Sequence, residues 1–386
     1  MHKIPLKPRK QTKNPSFLSH EFFIQNHADI VSCIAMVFVI GLMIQATSSL
    51  AYIFIGIHHN VTLSPEVQDS AEKQTDTLYT YGPKDLCAIF FYSLICIVMH
   101  AILQEYFLDK ITKKLHLSKA KHSKFNESGQ LLVFYFISIV WGIDIILRQN
   151  LVLNITSLWE GYPHSALMFT FKFYFIFQLS YWLHCYPELY FQKVKRDEIS
   201  DRVQYATLGI FAVSAIYLLN LNRVGICLLT LHYLSEALYH VARIVEYLDK
   251  DDNGSKSIHL AASAMFVLVR LGSIILSVLT FWYGLALSDN QVINVAEGNF
   301  NTQAVRLAVL ASICAIQAYF MWNFITEQLQ QMREQNVLSA TSRPKNKLKT
   351  ASKKVKKEEK REDDDLPEVD QNTKKTLRSR TAAKVK

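Results

Sequence analysis

The chain has 386 residues, half of them apolar and 12% aromatic, with 12 glycines and 9 prolines. So much apolar and aromatic surface excludes a chain that is disordered throughout, and the scarcity of glycine and proline excludes a collagen-like or low-complexity one. The formal net charge of +9 is gathered in the termini and a few connecting segments, so its placement says more than its size.

Residues 1–29 are basic at first, then polar and aromatic. A secretory signal peptide would show a short apolar core and a small-residue cleavage site. Here the apolar run, residues 30–57, is long and follows a long hydrophilic lead, so it reads as an uncleaved first anchor. A bilayer core needs roughly 20 apolar residues, which this run exceeds. Further runs lie near residues 86–108, 131–147, 167–186, 203–221, 224–245, 260–287 and 304–324. None alternates with the period of two that barrel strands require. The expected fold is therefore an all-α polytopic membrane protein of about eight transmembrane helices.

Orientation follows from the placement of Lys and Arg. Segments 1–29, 109–130, 187–202 and 246–259 carry seventeen, against four in 58–85, 148–166, 220–223 and 288–303. This asymmetry places the first group, and both termini, in the cytosol. Four Asn-x-Ser/Thr sequons occur, at Asn60, Asn126, Asn154 and Asn253. Only Asn60 and Asn154 fall on the lumenal side, so these two are the expected glycosylation sites, Asn60 being favoured by its longer loop. The six cysteines lie in or at the ends of apolar runs without metal-ligand spacing. They read as small buried hydrophobes, and no metal or cofactor is expected.

Ionisable side chains at membrane depth are costly and mark packing or function. Asp144 and Lys172 lie at similar depth on successive spans and are expected to pair. So are Glu236 and Arg270, each near mid-membrane. The span at residues 216–244 is the most polar, with Asn220, Asn222, Arg223, His232, Glu236, His240 and Arg243. His232, Glu236 and His240 recur every four residues, which puts them on one helix face, turned inward. The stretch FTFKFYFIFQLSYWLHCY is aromatic throughout; core packing explains it, and a greasy surface for a lipid or a passing apolar peptide is the alternative. Residues 329–386 are charged and poor in apolar residues, and read as a disordered cytosolic tail that favours anionic headgroups, or RNA where a ribosome is near.

The segments HEFFIQNHADIVSC, KHSKFNESGQL, YWLHCYPELYFQK, YLLNLNRVG and LAVLASICAIQA, in this order from about residue 19 to 322, closely resemble the translocating chain-associated membrane protein family of the endoplasmic reticulum. The resemblance implies a TLC domain, a helical bundle shared with ceramide synthases, at residues 119–328. Residues 30–118 would hold the first two transmembrane helices and a lumenal loop. It also implies a multi-pass protein of the endoplasmic reticulum membrane that assists the Sec61 channel. Its partners would be that channel, nascent chains and their signal sequences, the ribosome and membrane lipids.

Kinship with ceramide synthases supplies a rival, an acyltransferase. Those enzymes look to use a His-His pair on one span and a His-Asp pair on the next. Here the second position reads His232-Tyr233, and the preceding span, RVQYATLGIFAVSAIYLL, has no histidine. The acid/base constellation is incomplete, so no catalytic residue is expected. A third class, a lipid-binding or bilayer-shaping protein, is compatible with the channel-accessory role.

Overall fold

The computed structural model describes residues 19–61, 77–248, 253–288 and 290–341. The charged tail beyond residue 341, expected to be disordered, lies outside the described residues. The chain divides into two compact units, Met1–Phe324 and Ile325–Lys386.

The elements are α1 (His20–Gln25), α2 (His27–Met43), α3 (Ser48–Ile55), α4 (Asp85–Ile102), α5 (Asp109–Leu115), α6 (Lys119–Arg148), α7 (Phe169–Phe191), α8 (Arg196–Leu218), α9 (Asn222–Leu248), α10 (Asn253–Ser277) and α11 (Gln303–Thr341). π-helical turns at Leu103–Leu108 join α4 to α5, and others at Val278–Gly284 extend α10. Their starts and stops follow local chemistry. Ser19 accepts from the Phe22 amide and caps α1. Asp197 and Glu198 lie in the first turn of α8, where the helix dipole favours negative charge. α5 ends where His116 turns left-handed at φ 50°.

Among the described residues, five helical stretches are long and apolar enough to cross a membrane: Asp85–Leu115, Lys121–Arg148, Asn222–Leu248, Gly254–Leu287 and Gln303–Glu334. The sequence suggested eight. The other three expected spans fall short for physical reasons. α2 has 17 residues. α7 carries the buried polar residues Lys172, Gln178, His184 and Glu188. α8 opens on the charged run RDEISDR. A helix whose polar side chains are inside the bundle need not be apolar all round.

The first apolar run is not one helix. α2 stops at Met43, where Ile44 becomes extended, and α3 folds back beside it. Phe38 meets Phe54 at 4.7 Å between ring centroids. A Cβ on Gly41 would lie 3.1 Å from that of Ala51. Thr47 Oγ1 donates to the Gly41 carbonyl at 2.9 Å, satisfying a backbone group that the helix end frees. The run therefore makes a helix and a shorter returning one, which hydropathy alone does not distinguish from a single long span.

A small antiparallel sheet, absent from the sequence reading, ties the α3–α4 connection to the α6–α7 connection, in the order β1 (Asn60–Val61), β2 (Leu78–Tyr79) and β3 (Leu167–Met168). α6 lies along α9, and α9 along α10; α4 packs on α7, and α7 on α8. The α6–α9 crossing is close: a Cβ on Gly142 would sit 2.4 Å from Thr230 Oγ1, the small-residue contact that membrane helices use. The largest core cluster includes Phe171, Tyr174, Phe175 and Trp182 of α7, so the aromatic stretch is core. Large apolar side chains point out of α2, α4, α6 and α10, with Met43 84% and Leu268 61% exposed, an outer face suited to lipid.

Candidate functional site

At one end of the bundle, Lys172 is fully buried and its ammonium has three partners: the His58 carbonyl at 2.8 Å, the Thr80 carbonyl at 2.6 Å and Asp85 Oδ1 at 2.8 Å. An ammonium has three donors, and all are used. Asp85 Oδ2 accepts from the Gly82 amide and the Tyr217 hydroxyl, each at 2.9 Å. This latch holds the loop strands to α4, α7 and α8. It corrects the expected Asp144–Lys172 pair. Asp144 is half-exposed and takes Arg148, one turn on, at 2.8 Å. Matching depth put the two together on paper; helix rotation separates them. Asp85 was missed because it opens an apolar run and reads as a boundary residue.

The polar residues of the α8–α9 turn are anchors rather than an intramembrane stripe. Asn220 Nδ2 donates to the Gly298 carbonyl at 2.9 Å, Asn222 Nδ2 to the His164 carbonyl at 3.2 Å, and Arg223 to the Ser157 carbonyl at 2.7 Å. His164 is itself buried, with Nε2 donating to the Glu160 carbonyl at 2.9 Å. Burial pushes this imidazole down to about 4. The unfolded chain titrates near 6.5 and so binds the proton first as pH falls. Stability is expected to be full above pH ~6.5 and lost progressively down to about 4, by on the order of 3 kcal/mol. Melting temperatures taken across that range check this: His164→Gln should flatten the slope, and an unchanged slope would refute it.

Deeper in the bundle, Arg270 of α10 is the largest fully buried side chain. Its guanidinium reaches Glu236 Oε1 at 3.3 Å, Ser235 Oγ at 3.0 Å and His232 Nδ1 at 3.1 Å on α9, and Gln317 Oε1 at 3.1 Å on α11. It lies between the rings of Phe266 and Phe320, 4.5 and 4.8 Å from their centroids. A guanidinium only donates, so His232 Nδ1 must accept and its proton sits on Nε2, facing the Tyr205 hydroxyl at 3.4 Å. Tyr233 donates to Gln178 at 2.9 Å. His232 and its neighbour are thus fully engaged in joining helices. His240, on the same face, stacks on Tyr135 instead, with centroids 5.7 Å apart. Arg243 stands apart from the cluster, donating to the Tyr247 hydroxyl at 3.3 Å over the Tyr239 ring.

At the opposite end from the Lys172 latch lies a cavity of about 1390 Å³. Part of its lining, the apolar wall, includes Leu131, Ile316 and Phe320; another part, the polar wall, includes His100, Asn126, Gln130 and Glu188. The polar wall is one network. Gln192 Nε2 meets Glu188 Oε1 at 3.1 Å and His100 Nε2 at 2.8 Å. Gln130 donates to the His100 carbonyl at 3.0 Å, and Asn126 to Asp109 at 3.0 Å. Glu188 Oε2 and Asn126 Oδ1 are buried and have no hydrogen-bond partner. Sequence reading passed over this site, because its lining comes from seven separated stretches of chain and its polar network uses residues that are not unusual alone.

Of the sequons, Asn60 and Asn154 are exposed, and the Thr156 hydroxyl donates to Asn154 Oδ1 at 2.9 Å. Asn126 is buried within α6.

A family model described as the TLC domain (TRAM_LAG1_CLN8) matches residues 124–326. The chain is 46% identical over 326 residues to "Translocating chain-associated membrane protein 2" of Homo sapiens, covering 84% of this chain and 86% of that one. Identity to the Mus musculus protein of the same name is 45%, over 88% and 91% of the two. A more distant similarity, 29% over 124 residues, links it to "Ceramide synthase 4" of Mus musculus, covering 32% of this chain and 31% of that one.

Proposed function

Because the chain belongs to the translocating chain-associated membrane protein family, with its TLC domain, we propose that it assists the Sec61 channel in translocating secretory chains and inserting membrane segments at the endoplasmic reticulum. The carrying observation is near-half identity across most of both chains to relatives named for association with translocating chains. Eight helices cross the membrane in this reading: α2, α4, α6, α7, α8, α9, α10 and α11. The Lys172 end is lumenal, and both termini are cytosolic.

The geometry suggests how such a protein helps. α2 has 17 residues, about 25 Å of helix against a bilayer core of about 30 Å. A short outer helix is met by local bilayer thinning. An Asp, Lys or Arg at a helix centre costs roughly 2.5–3.5 kcal/mol to insert, and a thinner bilayer lowers that cost for a marginal signal sequence.

The acyltransferase reading is disfavoured because His232 and Tyr233 are committed to Arg270 and Gln178. The expected result is that His232→Ala leaves client translocation in reconstituted vesicles largely intact, with folding checked by melting. Depletion should impair clients with short or weakly apolar signal sequences and spare those with long ones. The purified protein should make no ceramide from acyl-CoA and a sphingoid base; ceramide synthesis lost on His232→Ala would overturn the accessory reading.

Topology has its own test. Protease added to sealed microsomes should remove the C-terminal tail and spare the Asn60 loop. Asn60→Gln should abolish an endoglycosidase-sensitive mobility shift. A shift that survives Asn60→Gln and vanishes with Asn154→Gln would assign the glycan to Asn154.

A further inference from the structure

The polar wall of the cavity is short of donors. The side-chain amides of Gln192, Gln130, Asn126 and Gln104 each donate to an acceptor inside the network or on its backbone. What is left over is acceptors, Glu188 Oε2 and Asn126 Oδ1, on residues only 7% and 6% exposed. A buried carboxylate oxygen or amide carbonyl without a donor is expensive. The group that completes this wall must therefore bring N–H or O–H donors. Charge narrows it further: Glu105, Glu127, Glu188 and Asp201 line the cavity against Arg202 and Arg243, so a cation is favoured.

The two guanidiniums differ. Arg202 is shared by Glu127 at 3.1 Å and Glu198 at 3.3 Å. Arg243 has a hydroxyl and a ring as its contacts, and no carboxylate forms an ion pair with it among the described residues, which leaves it available to an anion. Leu131, Ile316 and Phe320 supply an apolar part of the lining. The volume, about 1390 Å³, exceeds the roughly 300–1,000 Å³ of compact small-molecule pockets.

We propose that this cavity holds one aminophospholipid, its primary ammonium donating to Glu188 Oε2 and Asn126 Oδ1, its phosphate facing Arg243, and its acyl chains along the Leu131–Ile316–Phe320 wall. A choline lipid has the same charges and tails but no N–H, so it leaves both acceptors unmet. This inference goes beyond the translocation role and stands without it.

The test uses the full chain, purified in detergent and stripped of lipid. Phosphatidylethanolamine, phosphatidylcholine of the same chains, and the single-chain amine sphingosine are added separately. Bound lipid is read by native mass spectrometry, and stability by melting. Phosphatidylethanolamine is expected to remain bound and raise the melting temperature, with affinity about tenfold or more above phosphatidylcholine, the span of one well-made polar contact. Glu188→Gln should erase that preference. Ile316→Trp, which fills the apolar wall and leaves the polar network alone, should lower occupancy by every lipid, and this carries the test if the first variant does not fold. Equal retention of the ethanolamine and choline lipids would reduce the site to an unselective lipid groove and overturn the proposal. So would preference for sphingosine over the diacyl lipid, or no retention at all.

Discussion

Lys172→Met is expected to be the most damaging single substitution, lowering stability by on the order of 3–5 kcal/mol, the cost of stranding one member of a buried ion pair. Three contacts disappear together, at the His58 and Thr80 carbonyls and Asp85 Oδ1. Asp85, 4% exposed, keeps the Gly82 amide and the Tyr217 hydroxyl but loses its counter-charge. The two carbonyls belong to the connection that carries β1 and β2, so that segment should loosen first. Limited proteolysis or hydrogen exchange should show early exposure near residues 58–61 and 77–82. Asp85→Asn should cost less, since Lys172 retains both carbonyls, and the double variant should be more stable than Lys172→Met alone. A Lys172→Met protein that melts like the parent, with the loop still protected, would sink the latch.

Arg270→Met comes next. It removes the guanidinium that faces Glu236, His232, Ser235 and Gln317 at 3.0–3.3 Å, and with it a group that links α9, α10 and α11. A loss again on the order of 3 kcal/mol or more is expected, reduced where water or polar neighbours relax into the gap. Glu236→Gln alone should cost less, because Arg270 keeps neutral acceptors. The pair forms a double-mutant cycle, and Arg270→Met with Glu236→Gln should recover part of the loss. Strictly additive falls in melting temperature would show that the two residues do not act as a pair. Neither substitution touches the cavity's polar wall, so lipid preference there should survive in whatever fraction folds.

Both effects concern stability, and both rest on the polar core as a set of contacts that join helices. In an acid/base site, groups are left free to exchange protons with a substrate. Here the His232 imidazole is held at Nδ1 by Arg270 and faces Tyr205 at Nε2. The bundle uses this histidine as a strut between helices.

Much of this was legible in the residues. Long apolar runs, the missing period of two, the inward face of His232 and Glu236, and the aromatic core helix all depend on local pattern, and local pattern is carried by sequence. The identity of the motifs also sufficed for the family. Partner choice was not legible. Asp144 and Lys172 stand at similar depth, yet one residue of helix turns a side chain by about 100°, so depth leaves open which way each points. Asp144 points outward to Arg148, while Lys172 points inward to a residue 87 positions earlier, Asp85. The return of α3 along α2 was hidden for the same reason, since hydropathy counts apolar residues and cannot see Gly41 and Ala51 meet. The cavity was hidden most completely. A cavity is a property of how helices fail to fill the space between them, and only the packing of the helices decides that Glu188 and Asn126 come to line one.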